Sequence, residues 1–375
     1  MFKIPIISVE KLKDKHYEWA ENNSKEIISN LVNDTSIVPV EKAFYEALIS
    51  KSELSDIFKL LIIGTPEELR NAYSDLKSNP KTTDAVLLIE TCQKIKSSKS
   101  KVLNSKDIKR LNKLTNQNLK DKAEFKSYSN GLFKRIYSIF NYEKFTRASD
   151  LTNLAEINTK NWSGYQLTYH LNVRVCPYCN RNYTTTLKLN SKGKGRPQLD
   201  HFYPHSIYPF FAISLYNLIP SCNICNSSFK SNVDTLFSDP MLHPYEDEIC
   251  SKVKFEAKRA TEKVYSRFES VQPDDLKIQR NPNYETSDVK SINSLDRLKI
   301  EELYDLHKQE VAEAINLLSA YNLRSIEQIN SLLQIDNADK NILFELKNFF
   351  VGEAPERKVL GKLMSDIIKD EFSGF

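Results

Sequence analysis

CPYCNRNYTTTLKLNSKGKGRPQLDHFYPHSIYPFFAISLYNLIPSCNICNSSFK, from Cys176 to Lys230, holds four of the six cysteines of this 375-residue chain. They fall as Cys176-x-x-Cys179 and Cys222-x-x-Cys225, separated by the 42 residues from Asn180 to Ser221. A CxxC lets two thiolates converge on one ion from a tight turn, and a second CxxC completes the tetrahedron that zinc prefers, closed to water and therefore structural. A dithiol redox pair is the competing use of one CxxC, but two units together point to a metal staple. The gap is longer than in small zinc ribbons, so something sizeable is clamped between the knuckles.

The enclosed segment reads as a hairpin followed by a polar loop. Tyr183-Thr-Thr-Thr-Leu-Lys-Leu189 is rich in β-branched and aromatic residues. Ser191 to Gly195 breaks it, and Pro197 to Phe202 is expected to return as its partner strand. That second strand delivers Asp200 and His201 side by side. Neighbouring strand residues point to opposite faces, so both can approach one phosphate only at a strand end or bulge, and Phe202-Tyr-Pro204 supplies such an end. Asn217 and Asn226 follow nine residues apart, and Asn226 to Lys230 is one i to i+4 step, which places that pair on one face of a short helix.

A strand ending in Asp-His, an Asn-Leu in the connection and then a helix with a second polar ligand resembles the HNH, or ββα-metal, endonuclease family. CPYCNRNY, LDHFYP, YNLIPSCNICN and DPMLHPYED, the last from Asp239 to Asp247, are similar to its zinc-knuckle branch found in bacterial anti-phage systems such as the Septu nuclease subunit. The resemblance covers about 70 to 100 residues of the 375. It implies His201 as general base, Asp200 and Asn226 as ligands of one Mg²⁺ or Mn²⁺, and Asn217 as the group that holds the His201 loop. Cys176, Cys179, Cys222 and Cys225 match the structural zinc ligands. His205 stands where relatives carry Lys, so a phosphate contact there becomes pH-dependent or is lost. Lys230 is a second candidate for contact with substrate.

The chemistry suits those residues. Phosphodiester hydrolysis needs a deprotonated water, neutralised charge on the phosphate and help for the departing oxygen. Imidazole, with a pKa near about 6.5, can take a proton from water at neutral pH, and oxygen ligands suit Mg²⁺ or Mn²⁺. Two other histidines near the knuckles carry weaker signals. His170 reads as a packing or capping residue, since the Cys₄ set is complete without it, and His243, with Tyr245 in LHPYED, reads as an edge of the site.

Composition frames the rest: 40% apolar, 27% charged and only eight glycines, as in a helix-rich soluble protein. The longest apolar runs, such as Leu60 to Ile63, are far short of the roughly 18 residues a membrane span needs. The N-terminus has only a short apolar patch around Pro5 before charges resume, so no secretory signal and a cytoplasmic location are expected. Cys92 and Cys250 would then stay reduced. Net charge is +4, but Lys94 to Arg135 carries thirteen Lys or Arg against three acids. That is a local +10, which leaves about −6 for the remainder. Interleaved with Phe125, Tyr128 and Phe133, this stretch has the make-up of a surface that tracks a nucleic-acid backbone, and equally of a solvated helical face; Lys94 to Lys106 alone favours a linker.

The expected fold class is α+β, mainly α-helical around a central ββα-metal domain stapled by a Cys₄ zinc site. Its parts are an N-terminal helical region (1–93), a basic helical or linker region (94–150), the nuclease domain (151–250) and a C-terminal helical region (251–375). Helices are expected over Glu41 to Ile49, after the capping box Thr65-Pro-Glu-Glu68, over Thr83 to Ile95, through Ile108 to Phe145, over Trp162 to Leu171 and over Leu298 to Tyr321. On the last, Leu303, His307, Val311, Ala314, Ile315 and Leu318 form one stripe, with His307 as a core histidine. Val253 to Phe255 and Val264 to Phe268 read as short strands, and Leu343 to Phe375 as one or two amphipathic helices. No Walker-type glycine loop occurs, so the chain is not itself a P-loop ATPase. The function expected is cleavage of DNA as an anti-phage effector, with an ATPase or other defence protein as partner by analogy. A zinc-stabilised nucleic-acid-binding or assembly module without cleavage, and an HNH ribonuclease acting on RNA, are the alternatives. The residues do not disclose the oligomeric state.

Overall fold

The computed structural model describes the chain apart from residue 1 and residues 51–55, 99–102, 148–153, 155, 158–160, 190–192, 250–251, 260–269, 285, 321–348, 351–353 and 372–375. Helices dominate, and the strands form three separate two-stranded antiparallel ladders.

The first 146 residues fold into nine helices among those described: α1 (Ile6–Glu10), α2 (Lys13–Asn33), α3 (Pro39–Ile49), α4 (Ile57–Ile63), α5 (Pro66–Ser78), α6 (Thr83–Ser97), α7 (Ser105–Thr115), α8 (Lys122–Ile139) and α9 (Tyr142–Thr146). Their starts follow local chemistry. Thr65 and Glu68 close a reciprocal capping box with Pro66 behind it, and Asn104, Asp121 and Asn141 cap α7, α8 and α9 with side-chain oxygens. The boundary expected at 93/94 falls inside α6, and α7 and α8 pack back onto α6, so the basic stretch is part of the helical layer. Its aromatics serve that layer: Phe125 and Phe133 are buried, and Tyr128 donates to Glu41, which Arg135 grips with two nitrogens. Neither phenylalanine is a platform for bases.

Helix α10 (Gly164–Leu171) leads into the first knuckle. Then β1 (Leu187–Leu189) pairs with β2 (Gly193–Gly195), and β3 (Gln198–His201) pairs with β4 (Leu218–Ser221). The expected partner of the Asp-His strand was the Tyr183 run. Its actual partner follows 16 residues later, with His201 opposite Leu218 and Asp200 opposite Ile219. The Tyr183 run is diverted because Thr184 and Thr186 spend their hydroxyls on Val173 O and on Thr168 of α10. The loop from Phe202 to Asn217 is sunk into the helical layer, with the Phe210 ring against Phe44 and stacked on Tyr73 at 5.8 Å.

After β4 comes a π-helical turn, Ile224–Lys230. A third hairpin, β5 (Phe255–Arg259) with β6 (Leu276–Arg280), and helices α11 (Val289–Arg297), α12 (Ile300–Asp305), α13 (Lys308–Ala320) and α14 (Gly361–Glu371) complete the described fold. Strand β6 lies beyond the two short strands expected in this region, although Leu276 and Ile278 alternate inward. Val264 to Phe268 lie outside the described residues, whereas the tail expected to be helical from Leu343 to Phe375 is described in large part and holds α14. The single helix expected over Leu298 to Tyr321 breaks at Leu306 and His307. Leu303, Val311, Ala314, Ile315 and Leu318 are buried as a stripe should be, but His307 stands at the break and bonds Arg181 and Glu310 instead of entering the core.

Candidate active site and metal centre

The metal centre follows from two turns. Cys176 O accepts from Asn180 N at 2.8 Å, and Cys176 N donates to Asn182 O at 2.9 Å. Asn180 takes the left-handed φ of 54° that such a knuckle needs and that Asn tolerates. The second turn brings Cys222 N to 3.4 Å from the Cys176 sulfur and sets the Cys179 and Cys222 sulfurs 3.9 Å apart. All four sulfurs lie within 4.8 Å of one another. Sulfurs about 2.3 Å from one tetrahedral ion would be roughly 3.8 Å apart, so the donor set fits a single closed metal site. Burial pushes the Cys176 thiol well up, so a thiolate there needs a cation beside it. Among the described residues this is the one group of three or more His, Cys, Asp or Glu close enough to hold an ion.

From the knuckle the chain reaches the Asp-His strand directly. Tyr178, between the first two cysteines, is fully buried and donates from its hydroxyl to Asp200 Oδ2 at 2.5 Å. Lys230 Nζ donates to Asp200 Oδ1 at 3.1 Å and to His201 O at 2.8 Å. This corrects the expectation for Lys230, which is 0% exposed and cannot touch a substrate. In a π-helical turn the winding is wider than in an α-helix, so Lys230 does not share Asn226's outward face but is carried beneath Asp200. It braces the strand end from inside.

His201 is the best-defined group of the site. A carbonyl oxygen only accepts, so the 2.8 Å contact with Ala212 O fixes the proton on Nε2 and leaves a lone pair on Nδ1. Nδ1 lies 3.2 Å from His205 Nδ1, and the Tyr142 ring packs edge-on at 4.4 Å. Burial, then the nearby His205, push its pKa down to about 3, so the imidazole is neutral at physiological pH. Asn217, fully buried, clamps the following loop. Its Oδ1 accepts from Tyr203 N at 2.6 Å, and its Nδ2 donates to Tyr203 O at 2.9 Å and Phe211 O at 3.0 Å.

Asp200, His201, His205 and Asn226 line one open cleft of about 480 Å³. Asn226 Nδ2 donates to Gln198 Oε1 at 2.8 Å, and its side chain lines the cleft. The strand, the loop clamp and the turn thus bring together two hydrogen-bonded imidazoles, a carboxylate and an amide oxygen. Asn217 and Lys230 sit behind them. His243, expected at the edge of the site, is instead buried against Phe202 at 4.1 Å and does not line the cleft. Three contributors escaped the sequence reading. Arg196 lines the cleft with its Nε buried and without a partner. Tyr142 covers His201, and Tyr178 orients Asp200. Arg196, a cation four residues before Asp200, was open to suspicion from sequence; the tyrosines carry no such signal. Comparison with family models, with curated proteins and with solved structures finds no match for this chain.

Proposed function

We propose that this chain is a metal-dependent endonuclease of the HNH type that hydrolyses phosphodiester bonds in DNA, stapled by a structural zinc ion at Cys176, Cys179, Cys222 and Cys225. The observation that carries the reading is the His201 imidazole, neutral, held by the Ala212 carbonyl through Nε2 and paired through Nδ1 with His205, in a cleft that also contains Asp200 and Asn226. In that reading Nδ1 takes the proton from the attacking water, and His205, 3.2 Å away, lies where that proton can be shared. Asp200 and Asn226 supply hard oxygen donors for Mg²⁺ or Mn²⁺. When bound, such an ion neutralises charge on the phosphate and on the departing oxygen. Arg196 meets a phosphate at the rim. Tyr178 and Lys230 keep Asp200 aimed. The resemblance to anti-phage nucleases supports a role as a defence effector with an ATPase or similar partner.

Digestion of plasmid DNA and of total RNA with added Mg²⁺ or Mn²⁺ tests this. Wild type should cut the plasmid, and His201→Ala should lower the rate by about 10²- to 10⁴-fold while keeping its bound zinc. Cutting of RNA alone would move the substrate to RNA. Equal activity of wild type and His201→Ala would overturn the reading.

A further inference from the structure

A second cleft, about 710 Å³, opens where the end of α10 meets the first knuckle and the Pro355–Arg357 turn. Tyr169, His170, Arg174, Tyr183, Arg357 and Lys358 line it together with threonine hydroxyls, and none of the lining residues is acidic. Arg174 and Arg357 are exposed, and neither guanidinium has a carboxylate partner among the described residues. The Nε2 of His170 is buried without a hydrogen-bond partner. Tyr183 is 72% and Tyr169 41% exposed, unusual for large rings in a protein whose other tyrosines mostly pack inward. Uncompensated cations in a concave site call for an anion, and guanidinium forks suit phosphate.

The rings narrow the choice. Cations that follow a backbone beside exposed aromatic faces are the combination that holds unpaired nucleic-acid bases, whereas a duplex keeps its base faces covered. Helix α10 runs between the two clefts. Arg196 lines the first, and its guanidinium lies 5.5 Å from the centre of the Tyr165 ring, which Lys194 approaches at 5.8 Å. Thr168, one turn further along α10, lines the second. We infer that the ledge of Arg196, Tyr165 and Lys194, with the second cleft, binds a single-stranded nucleic-acid segment that flanks the bond presented to His201. What happens at His201 rests on the proposed nuclease function; the strand cleft is a binding site in its own right.

Anisotropy of a fluorescein-labelled 20-nucleotide single strand, as DNA and as RNA, tests this on the full chain without added divalent ion. Arg174→Glu/Arg357→Glu should bind at least ten-fold more weakly than wild type. Its salt dependence should lose about 1.4 from the slope of log affinity against log salt, at roughly 0.7 for each phosphate released. Tyr183→Ala should lose about five-fold or more for the single strand and nothing for a duplex of the same sequence. Arg174→Lys/Arg357→Lys should retain most of the affinity, which separates a charge effect from misfolding. Unchanged affinity and slope in the charge-reversed variant, or a wild type that binds no single strand, overturns the inference. A wild type that binds the strand but cuts nothing when Mg²⁺ or Mn²⁺ is added removes the nuclease reading and leaves this one standing.

Discussion

Lys230 and His16 are both wholly buried, and the protein settles their charge in opposite ways. Lys230 donates to Asp200 and the His201 carbonyl; burial holds its pKa below the ordinary lysine value, and Asp200 offsets part of that fall. Breaking a buried pair by removing one partner strands the other charge, which costs about 3 to 5 kcal/mol. Lys230→Met should therefore lower stability by that amount in urea unfolding and also reduce cleavage, despite having no contact with substrate; a variant as stable as wild type would contradict the bracing role. His16 stays neutral. Its Nε2 donates to Ile213 O at 2.6 Å, and its Nδ1 accepts from Trp162 Nε1 at 3.0 Å, so a second proton would face another N–H. Burial pushes its pKa down to about 4. The unfolded chain takes up this proton as pH falls below about 6.5, the folded chain only near 4. Stability from His16 is therefore complete above pH 6.5 and is lost progressively down to about pH 4, by at most roughly 3 kcal/mol. Urea midpoints at pH 7 and pH 4.5 should fall further for wild type than for His16→Gln, and equal falls would refute the assignment. The place of His201 at a strand end in the cleft was legible in sequence, because Asp200-His201 runs straight into the Phe202-Tyr-Pro204 turn. His16 was not, since the Ile213 carbonyl that explains it lies 197 residues away.

At the scale of elements, the knuckles were legible because a CxxC carries its own turn geometry, and the capped helices because their signals are local. The partner of β3 was not, since pairing across the sunken loop is decided by Phe210 and Ser214 docking on distant helices, which no local pattern encodes. The knuckle also does more than gather sulfurs. Asn180 donates to Lys358 O at 3.0 Å, accepts from Lys362 N at 3.1 Å and, through its carbonyl, from Leu360 N at 2.7 Å, so one knuckle residue fastens the start of α14. Helix α14 in turn holds the third hairpin, where Asp366 accepts from Phe255 N and Lys362 donates to Val253 O. Removing the metal should relax Asn180 and free this segment. Treatment with a zinc chelator should release about one equivalent of zinc and open new trypsin cleavage after Arg357 or Lys358, while cleavage within α2 to α6 stays slow. An unchanged digestion pattern after the metal has gone would show that the clamp does not depend on it.

For the whole molecule, the candidate nuclease segment is not self-sufficient. Its sunken loop borrows its surroundings from the N-terminal helices: Phe210 from Phe44 and Tyr73, Ser214 from the Leu61 carbonyl, Ile213 from His16. The His205 carbonyl accepts from Tyr137, Leu199 O accepts from Tyr142, and Arg70 donates to both Tyr203 and Glu246. Even the first residues join in, with Phe2 N on Pro177 O and Ile4 N on Pro244 O. The loop that positions Ala212, and through it the His201 tautomer, is thus fixed by residues up to 200 positions away. Cutting the chain at the compositional boundaries would expose Phe210, Phe211 and Tyr208, each now at most 3% exposed. Burying one such aromatic side chain is worth about 1.5 to 3 kcal/mol, so losing three together approaches the whole stability of a small domain. Residues 151–250 expressed alone with zinc should therefore show collapsed amide dispersion by NMR, no cooperative thermal transition and no cleavage, whereas the full chain should show dispersed amides, a cooperative transition and cleavage. A fragment that melts cooperatively and cuts on its own would mean that the helices cover the site without building it.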